Sequence, residues 1–417
     1  MRRPFLSLVN IALLLMMLVS AVSNTLAQET VLYRFPGGNR GDQPQSGVVF
    51  DSNGNAYGTT FYGGVYGWGM IFKLEPKNHG WVEQVLYNFL GGEDGYNPTG
   101  NLLIDSEGNL YGTTVNGGNG TGCLNEDYLC SGTVFQLAPS ESGWKHVILY
   151  NFCSRSGCVD GAGPEGLTFD KAGNLYGSTV TGGQGCESGC GTVYKLSLSN
   201  GSWTEKVLYT FDQNSDGYYP TPGITIDKSG SLYGTTYSGG GYGYGIVFRL
   251  KHSKRRWREV MLYAFNGSTN YRNPNGYLTL DSAGNILGST TGGSSGCDYQ
   301  CGLIFKLSRS KNGQWVESAV YTFDGPHGAS PNAGLLLDSA GNFYGSTMLG
   351  GDNNFGEVFE LKPGNDWTIQ LLYSFTGQGA DEIPNPGLIF GPGGSLYGTT
   401  PGSYDSQYYG EVFELVP

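Results

Sequence analysis

Four histidines, eight cysteines and a recurring carboxylate motif are the groups in this 417-residue chain whose types and spacing could do chemistry. Histidine is the usual general acid or base near neutral pH. His79, His146 and His252 fall in or beside short polar hairpins, while His327 sits in a longer loop with no nucleophile motif beside it. The chain has no H-E-x-x-H, no G-x-S-x-G and no phosphate loop. The Ser-x-Asp-x-Gly-x-Thr-Trp box of sialidases is missing too. The carboxylate motif is Asp-Gly-x-x-Pro: Asp94-Gly95 with Pro98, Asp160-Gly161 with Pro164, and Asp216-Gly217 with Pro220. A ring of such acids can hold a calcium ion. An Asx-type turn before a strand explains the same residues without an ion, and EF-hand spacing is absent.

The cysteines form four close pairs: Cys123/Cys130, Cys153/Cys158, Cys186/Cys190 and Cys297/Cys301. Zinc ligation would need closely spaced double C-x₂-C pairs, which do not occur. Local disulfides are therefore expected, in keeping with an exported chain. Arg2 and Arg3 precede an apolar run from Leu6 to Val22, and Thr25-Leu26-Ala27 supplies small residues at a cleavage site. This pattern predicts a signal peptide over residues 1–27, cut near Ala27/Gln28, with 28–417 as a single mature domain. Secretion to a periplasmic or extracellular location follows, with no integral membrane span after cleavage.

Net charge is −12, and loss of Arg2 and Arg3 takes it to −14. Such a surface repels phosphate backbones, so nucleic acid is not an expected partner. The one basic run, Lys251 to Arg258, sits where other repeats have a short polar hairpin and reads as a solvated turn. Gly, at 71 residues, and Tyr, at 29, point to many tight turns joining short aromatic strands.

The elements that would position these groups come from one phrase, Asp-x-x-Gly-Asn-Leu-Tyr-Gly-Thr-Thr. It occupies residues 51–60, 105–114, 170–179, 227–236, 281–290 and 338–347, with a degenerate copy at 391–400. The spacing is 53 to 65 residues, longer than the ~40–45 of WD40 units and near the ~50 of kelch. Each copy reads as four short strands, a to d: Gly100–Ile104, Asn109–Thr114, Gly132–Leu137 and Trp144–Phe152 in the second copy. The apolar residues of strands b to d keep to no single face, as expected of a sheet buried between neighbours. Strand d opens with Trp81, Trp144, Trp203, Trp257, Trp315 and Trp367, so these six are expected to pack between repeats.

The last copy stops after strand c, at Glu411 to Leu415. The missing strand d lies at the other end, where Val31-Leu32-Tyr33-Arg34-Phe35 matches Ile148 to Phe152. The sequence thus predicts an all-β, seven-bladed β-propeller of four-stranded blades, with residues 30–36 completing the last blade and leaving no open edge. The repeat resembles the GloVer tandem repeats of exported bacterial proteins. The resemblance rests on Gly166 to Thr179, Gly182-Gly183 and Gly191 to Leu196. It implies an exported propeller-like domain and no catalytic residues.

In such a blade the b–c and d–a loops share one face of the ring and the a–b and c–d turns the other. The b–c and d–a loops vary in length and hold all eight cysteines, which makes theirs the face where binding is expected. The same loops gather aromatics, of which Trp68, Tyr66, Tyr96, Tyr218, Tyr219, Tyr242, Tyr244, Tyr271 and Tyr408 are the candidate ligand contacts. Tyrosine offers an apolar face and a hydroxyl at low entropic cost, suited to sugar rings or protein surfaces. Trp68 is the one Trp outside strand d. The leading expectation is a monomeric, non-catalytic binding or scaffolding propeller whose ligand is a glycan or a surface protein. The alternatives are a carbohydrate-active enzyme, hydrolase or lyase, with acids from the d–a loops, and a structural cell-surface module.

Overall fold

The computed structural model describes residues 27–120, 131–184, 186, 189–212, 216–253, 256–267, 272–292, 301–331, 334–364, 366–378, 383–402 and 409–416. They form seven antiparallel sheets, each a blade with strands in the order a-b-c-d. In blade 2 these are Tyr96–Ile104, Leu110–Asn116, Thr133–Ser140 and Gly143–Asn151. In blades 4 and 6 strand a is broken into two short pieces. Blade 7 takes strands a, b and c from Ile389–Phe390, Leu396–Thr400 and Glu411–Val416, and strand d from Gln28–Arg34. Gln28 pairs with Val416 and Arg34 with Glu411, so the ring is closed by its two ends.

The repeated phrase is legible atom by atom. In blade 2 the Asp105 carboxylate accepts bonds from the Glu107 and Asn109 amides, the Asn109 side chain and the Tyr111 hydroxyl. The first Thr of the phrase ties strand b to strand a, with Thr113 Oγ1 donating to the Thr99 carbonyl at 2.9 Å. The second closes the strand end, with Thr114 Oγ1 donating to the Asn116 carbonyl. The Gly between Tyr and Thr is fixed by space: a Cβ on Gly112 would lie 2.5 Å from Phe135 Cζ. That Phe lies edge-on to Phe89 at the end of the preceding blade's strand d. The same cross-blade aromatic pair occurs at all seven seams, at centroid distances of 4.7 to 5.5 Å. Each such pair adds about 0.5–1.5 kcal/mol beyond its buried area.

The apolar core is accordingly split into wedges between blades. Leu32, Phe35 and Val412 of blade 7 pack with Val48, Phe72 and Leu74 of blade 1, for example. The six strand-d Trp residues pack at these seams, as expected; Trp144 meets Tyr57 of the preceding blade at 6.3 Å. Strands b and c are buried along most of their length. Strand d departs from the expectation and alternates between exposed and half-buried. Blades radiate, so the gap between neighbours widens outward and only one face of the outermost strand is covered.

Among the described residues, two side chains cross the axis. At the position after the strand-a bend most blades carry Gly, while blade 2 has Asn101 and blade 5 has Tyr277. Asn101 Oδ1 accepts from the Gly47 amide and adjoins Gly387, tying blades 2, 1 and 7. Tyr277 lies against Gly166, Gly223 and Gly334 of blades 3, 4 and 6. Beside it, Glu165 is pushed up to about 7 by burial.

Candidate functional site

With the axis filled, the chemistry available to a ligand lies on the loop face. The b–c loop of blade 1 is built on glycines: Gly63, Gly64, Gly67 and Gly69 all have positive φ, a region open to Gly at little cost. A Cβ on Gly69 would strike the Thr60 carbonyl oxygen at 2.5 Å and Pro98 Cδ at 2.7 Å. The Pro of the Asp-Gly-x-x-Pro motif therefore packs on the closing Gly of the preceding b–c loop. Asn97, itself at φ 55, donates its amide to the Trp68 carbonyl at 3.0 Å and its side chain to the Phe61 carbonyl at 2.9 Å.

This anchoring presents an aromatic patch. The Trp68 ring meets Tyr96 at 4.9 Å and 53°, and leans on Gly91, where a Cβ would fall 2.8 Å from Nε1. Trp68 remains 43% exposed, with Tyr66 at 55% and Val65 at 58% in the same loop and Leu90, next to Gly91, at 54%. The structure thus brings Tyr66, Trp68 and Tyr96 to one seam. A second group forms at blade 4, where Tyr218 and Tyr219 pack edge-on at 4.9 Å and Tyr237, Tyr242 and Tyr244 are exposed. Tyr271 and Tyr408 lie outside the described residues. Sequence reading passed over Val65 and Leu90, because a single apolar residue in a loop carries no periodic signal.

Trp68 also has a structural share. The same loop position holds Tyr244, Phe355 and Tyr409 in blades 4, 6 and 7, each against a Gly of the neighbouring d–a loop (Gly267, Gly377 and Gly37). Blades 3 and 5 place Cys190 and Cys301 there. Cys190 is disulfide-bonded to Cys186 and Cys153 to Cys158, both local pairs as expected. Cys123, Cys130 and Cys297 lie outside the described residues. The loops of blades 1, 4, 6 and 7 are thus steadied by an aromatic-on-glycine contact and that of blade 3 by a disulfide.

The Asp-Gly-x-x-Pro acids of the d–a loops point inward. Asp94 accepts from the Tyr87 hydroxyl at 2.8 Å and the Leu90 amide at 2.9 Å. Asp160 accepts from the Tyr150 hydroxyl and from the Ser154 amide and hydroxyl. Asp216 accepts from the Tyr209 hydroxyl and from the Asp212 and Gly217 amides. These are turn-closing contacts. Among the described residues no group of three or more His, Cys, Asp or Glu is arranged to hold a metal.

His146 corrects the sequence reading. It lies in strand d, opposite Leu137 and three residues past the hairpin, which brings it into the seam. Its ring stacks on Tyr87 at 4.3 Å, and Nδ1 is 3.2 Å from Asp94 Oδ1. Other blades place Glu83, Glu205, Glu259, Glu317 and Glu29 at this register. There the preceding blade's Tyr often reaches the acid, as in Tyr33 to Glu83 and Tyr373 to Glu29. Burial pushes Glu205, Glu259 and Glu317 up to about 7. His327 stays in its d–a loop, exposed, with Nδ1 2.9 Å from Asp324, which raises its pKa.

On the opposite face an open cleft of about 510 Å³ lies between blades 6 and 7, lined by Leu337, Asp338, Tyr344, Phe390, Gly393 and Val416. It adjoins the degenerate turn at Gly391 to Ser395, the one copy without the turn Asp and Asn.

No helix among the described residues is long and apolar enough to cross a membrane. Among solved structures the chain is similar to an ulvan lyase from a new family of polysaccharide lyases, with a TM-score of 0.57 at 12% identity over 92% of this chain and 95% of that one. It is also similar to a glucose dehydrogenase (TM-score 0.45, 13% identity, 94% and 99% covered). A protein of unknown function from Dyadobacter fermentans matches at TM-score 0.43 and 11% identity, again over 94% and 99%. At such identities the lyase likeness concerns the fold alone. No curated protein matches this chain in sequence. The Gloeobacter/Verrucomicrobia repeat model matches residues 19–185, 130–312 and 280–417, and the chain therefore belongs to that repeat family.

Proposed function

We propose that this protein is an exported, non-catalytic binding propeller that holds a glycan on its b–c/d–a loop face. The observation that carries the reading is the exposed patch of Tyr66 and Trp68 backed by Tyr96. Aromatic faces of this kind stack on sugar rings while their polar edges stay hydrated. The three Asp-Gly-x-x-Pro acids that an enzyme reading would draw on are already bonded to turn amides and tyrosine hydroxyls. Export rests on residues 1–27 as a leader and on the disulfides. N-terminal sequencing of the mature protein is expected to begin at Gln28.

The test of binding is a glycan-array screen of the mature chain beside Trp68→Ala. Retention of polysaccharides by the native chain and their loss in the variant are expected. Capture of envelope proteins with no glycan retained would move the ligand to a surface protein, and release of shortened sugar would restore the enzyme reading.

A further inference from the structure

Among the described residues, two exposed aromatic loops are copies of one sequence. Residues 63–69 read Gly-Gly-Val-Tyr-Gly-Trp-Gly and residues 239–245 read Gly-Gly-Gly-Tyr-Gly-Tyr-Gly, so Tyr66 corresponds to Tyr242 and Trp68 to Tyr244. Their backbones agree bond for bond. The Gly67 amide donates to the Gly64 carbonyl at 3.1 Å, and Gly243 to Gly240 at 3.2 Å. Gly69 donates to Gly63, and Gly245 to Gly239, both at 3.0 Å. Asn97 and Asn273 anchor the two loops through the same pair of bonds. The free rings match as well: Tyr66 is 55% and Tyr242 63% exposed, Trp68 43% and Tyr244 37%. In a ring of seven blades, blades 1 and 4 stand about 150° apart, on nearly opposite sides of the face.

Charge narrows what these pads can hold. The seven b–c segments contain no Lys, Arg or His, yet carry Glu126, Asp127, Glu187, Asp298, Asp352 and Asp405. The d–a segments add three arginines and His327, which is paired with Asp324. Arg40 is bound to Glu83 at 2.6 Å and Arg155 to Glu205 at 2.5 Å. Arg272, at the position of Tyr96, adjoins the blade 4 pad and packs along Gly292. Such a face repels uronate or sulfate along a polymer but leaves an uncharged sugar ring free to stack.

We infer that Tyr66/Trp68 and Tyr242/Tyr244 are two equivalent sites that hold one uncharged polysaccharide chain at two points of the loop face. This rests on the glycan reading above. Two weak contacts joined by one chain bind tighter than either alone, because the second becomes intramolecular.

The experiment is calorimetry of the intact mature chain with neutral polymers (glucans, mannan and xylan), their hexasaccharides, and the acidic polymers alginate and polygalacturonate. Tyr66→Ala and Tyr242→Ala serve as variants, because both rings are exposed. Tyr66→Phe and Tyr242→Phe are the conservative controls, and equal thermal midpoints certify the fold. The expected result is two hexasaccharides bound per chain, tighter binding of the matching polymer, and a loss of about tenfold or more in polymer affinity for either Ala variant. One hexasaccharide per chain, or sensitivity to only one pad, would overturn the two-site inference and leave the glycan-binding reading standing. Binding of acidic polymers alone would overturn the charge argument. Binding of none would overturn both readings.

Discussion

The two faces of the ring use the same side-chain chemistry to opposite ends. On the a–b turn face polar groups are spent on one another: Asp51, Asp105 and Asp170 each accept two backbone amides, an Asn side chain and a Tyr hydroxyl. On the loop face, tyrosines of blades 1 and 4 are left with their rings in water. The turn tyrosines, such as Tyr57 and Tyr111, are nearly buried. Tyrosine is thus a staple on one face and a free surface on the other, and the neighbouring backbone decides which.

The comparison breaks most severely if the scaffold is opened. Removing residues 28–35 takes out strand d of blade 7 with the buried Leu32 and Phe35, and is expected to cost about 5 kcal/mol. Chemical denaturation should record this, and unchanged stability would contradict closure through that strand. Gly112→Ala forces a Cβ into Phe135 and Leu102 at 2.5 and 2.9 Å, for an expected loss of about 2–3 kcal/mol in the same assay. Asp105→Ala frees the four donors of its turn and should cost about 2 kcal/mol, while leaving glycan binding intact.

Acidity sharpens the contrast further. Glu165, Glu205, Glu259, Glu317 and Glu357 have folded values near 7, chiefly through burial. They face Tyr277; Arg155, Asp160 and Tyr150; Asp216; Tyr263; and His327, Asp352 and Asp324 in turn. A raised carboxyl holds its proton better folded than unfolded, so stability falls as pH climbs from about 4.5 to 7. The turn acids Asp51, Asp105, Asp170, Asp227 and Asp338 are lowered, because hydrogen bonds from their own turns outweigh desolvation. Their contribution is lost below about pH 3.8. The thermal midpoint is therefore expected to peak near pH 4–5 and to decline toward pH 7.5, with a shallower decline in Glu259→Gln plus Glu317→Gln. A midpoint that rises with pH over this range would refute the burial of these acids. The smallest stability effect belongs to Tyr66→Ala, within about 0.5 kcal/mol, although the same change should weaken sugar binding.

How much of this was legible in the sequence follows from what repeats. The phrase Asp-x-x-Gly-Asn-Leu-Tyr-Gly-Thr-Thr recurs because each residue meets a fixed partner, so blade number, turn chemistry and ring closure could be read from it. The local pairing of Cys153/Cys158 and Cys186/Cys190 could be read from spacing. The seam role of His146 could not, since it depends on which way one residue of strand d points and on Asp94 from another blade. The crossing of the axis by Tyr277 was equally hidden, because its partners Gly166, Gly223 and Gly334 come from three other blades.

The pairing of Gln28–Arg34 with Glu411–Val416 also sets an order in time. The strand that leaves the ribosome early finds its partner only when the end of the chain has been made. Until then that strand has no β-partner, although Phe35, close in sequence to Phe72, can already reach the ring it covers in the finished protein. Chain synthesis proceeds at ~5–20 residues per second, so the strand stays unpaired for tens of seconds. Joining two ends so distant in sequence is the costliest loop closure in the molecule. Six blades can assemble as the chain lengthens; the seventh is the commitment step, and until it forms the unpaired strand is open to pairing with another copy of the chain.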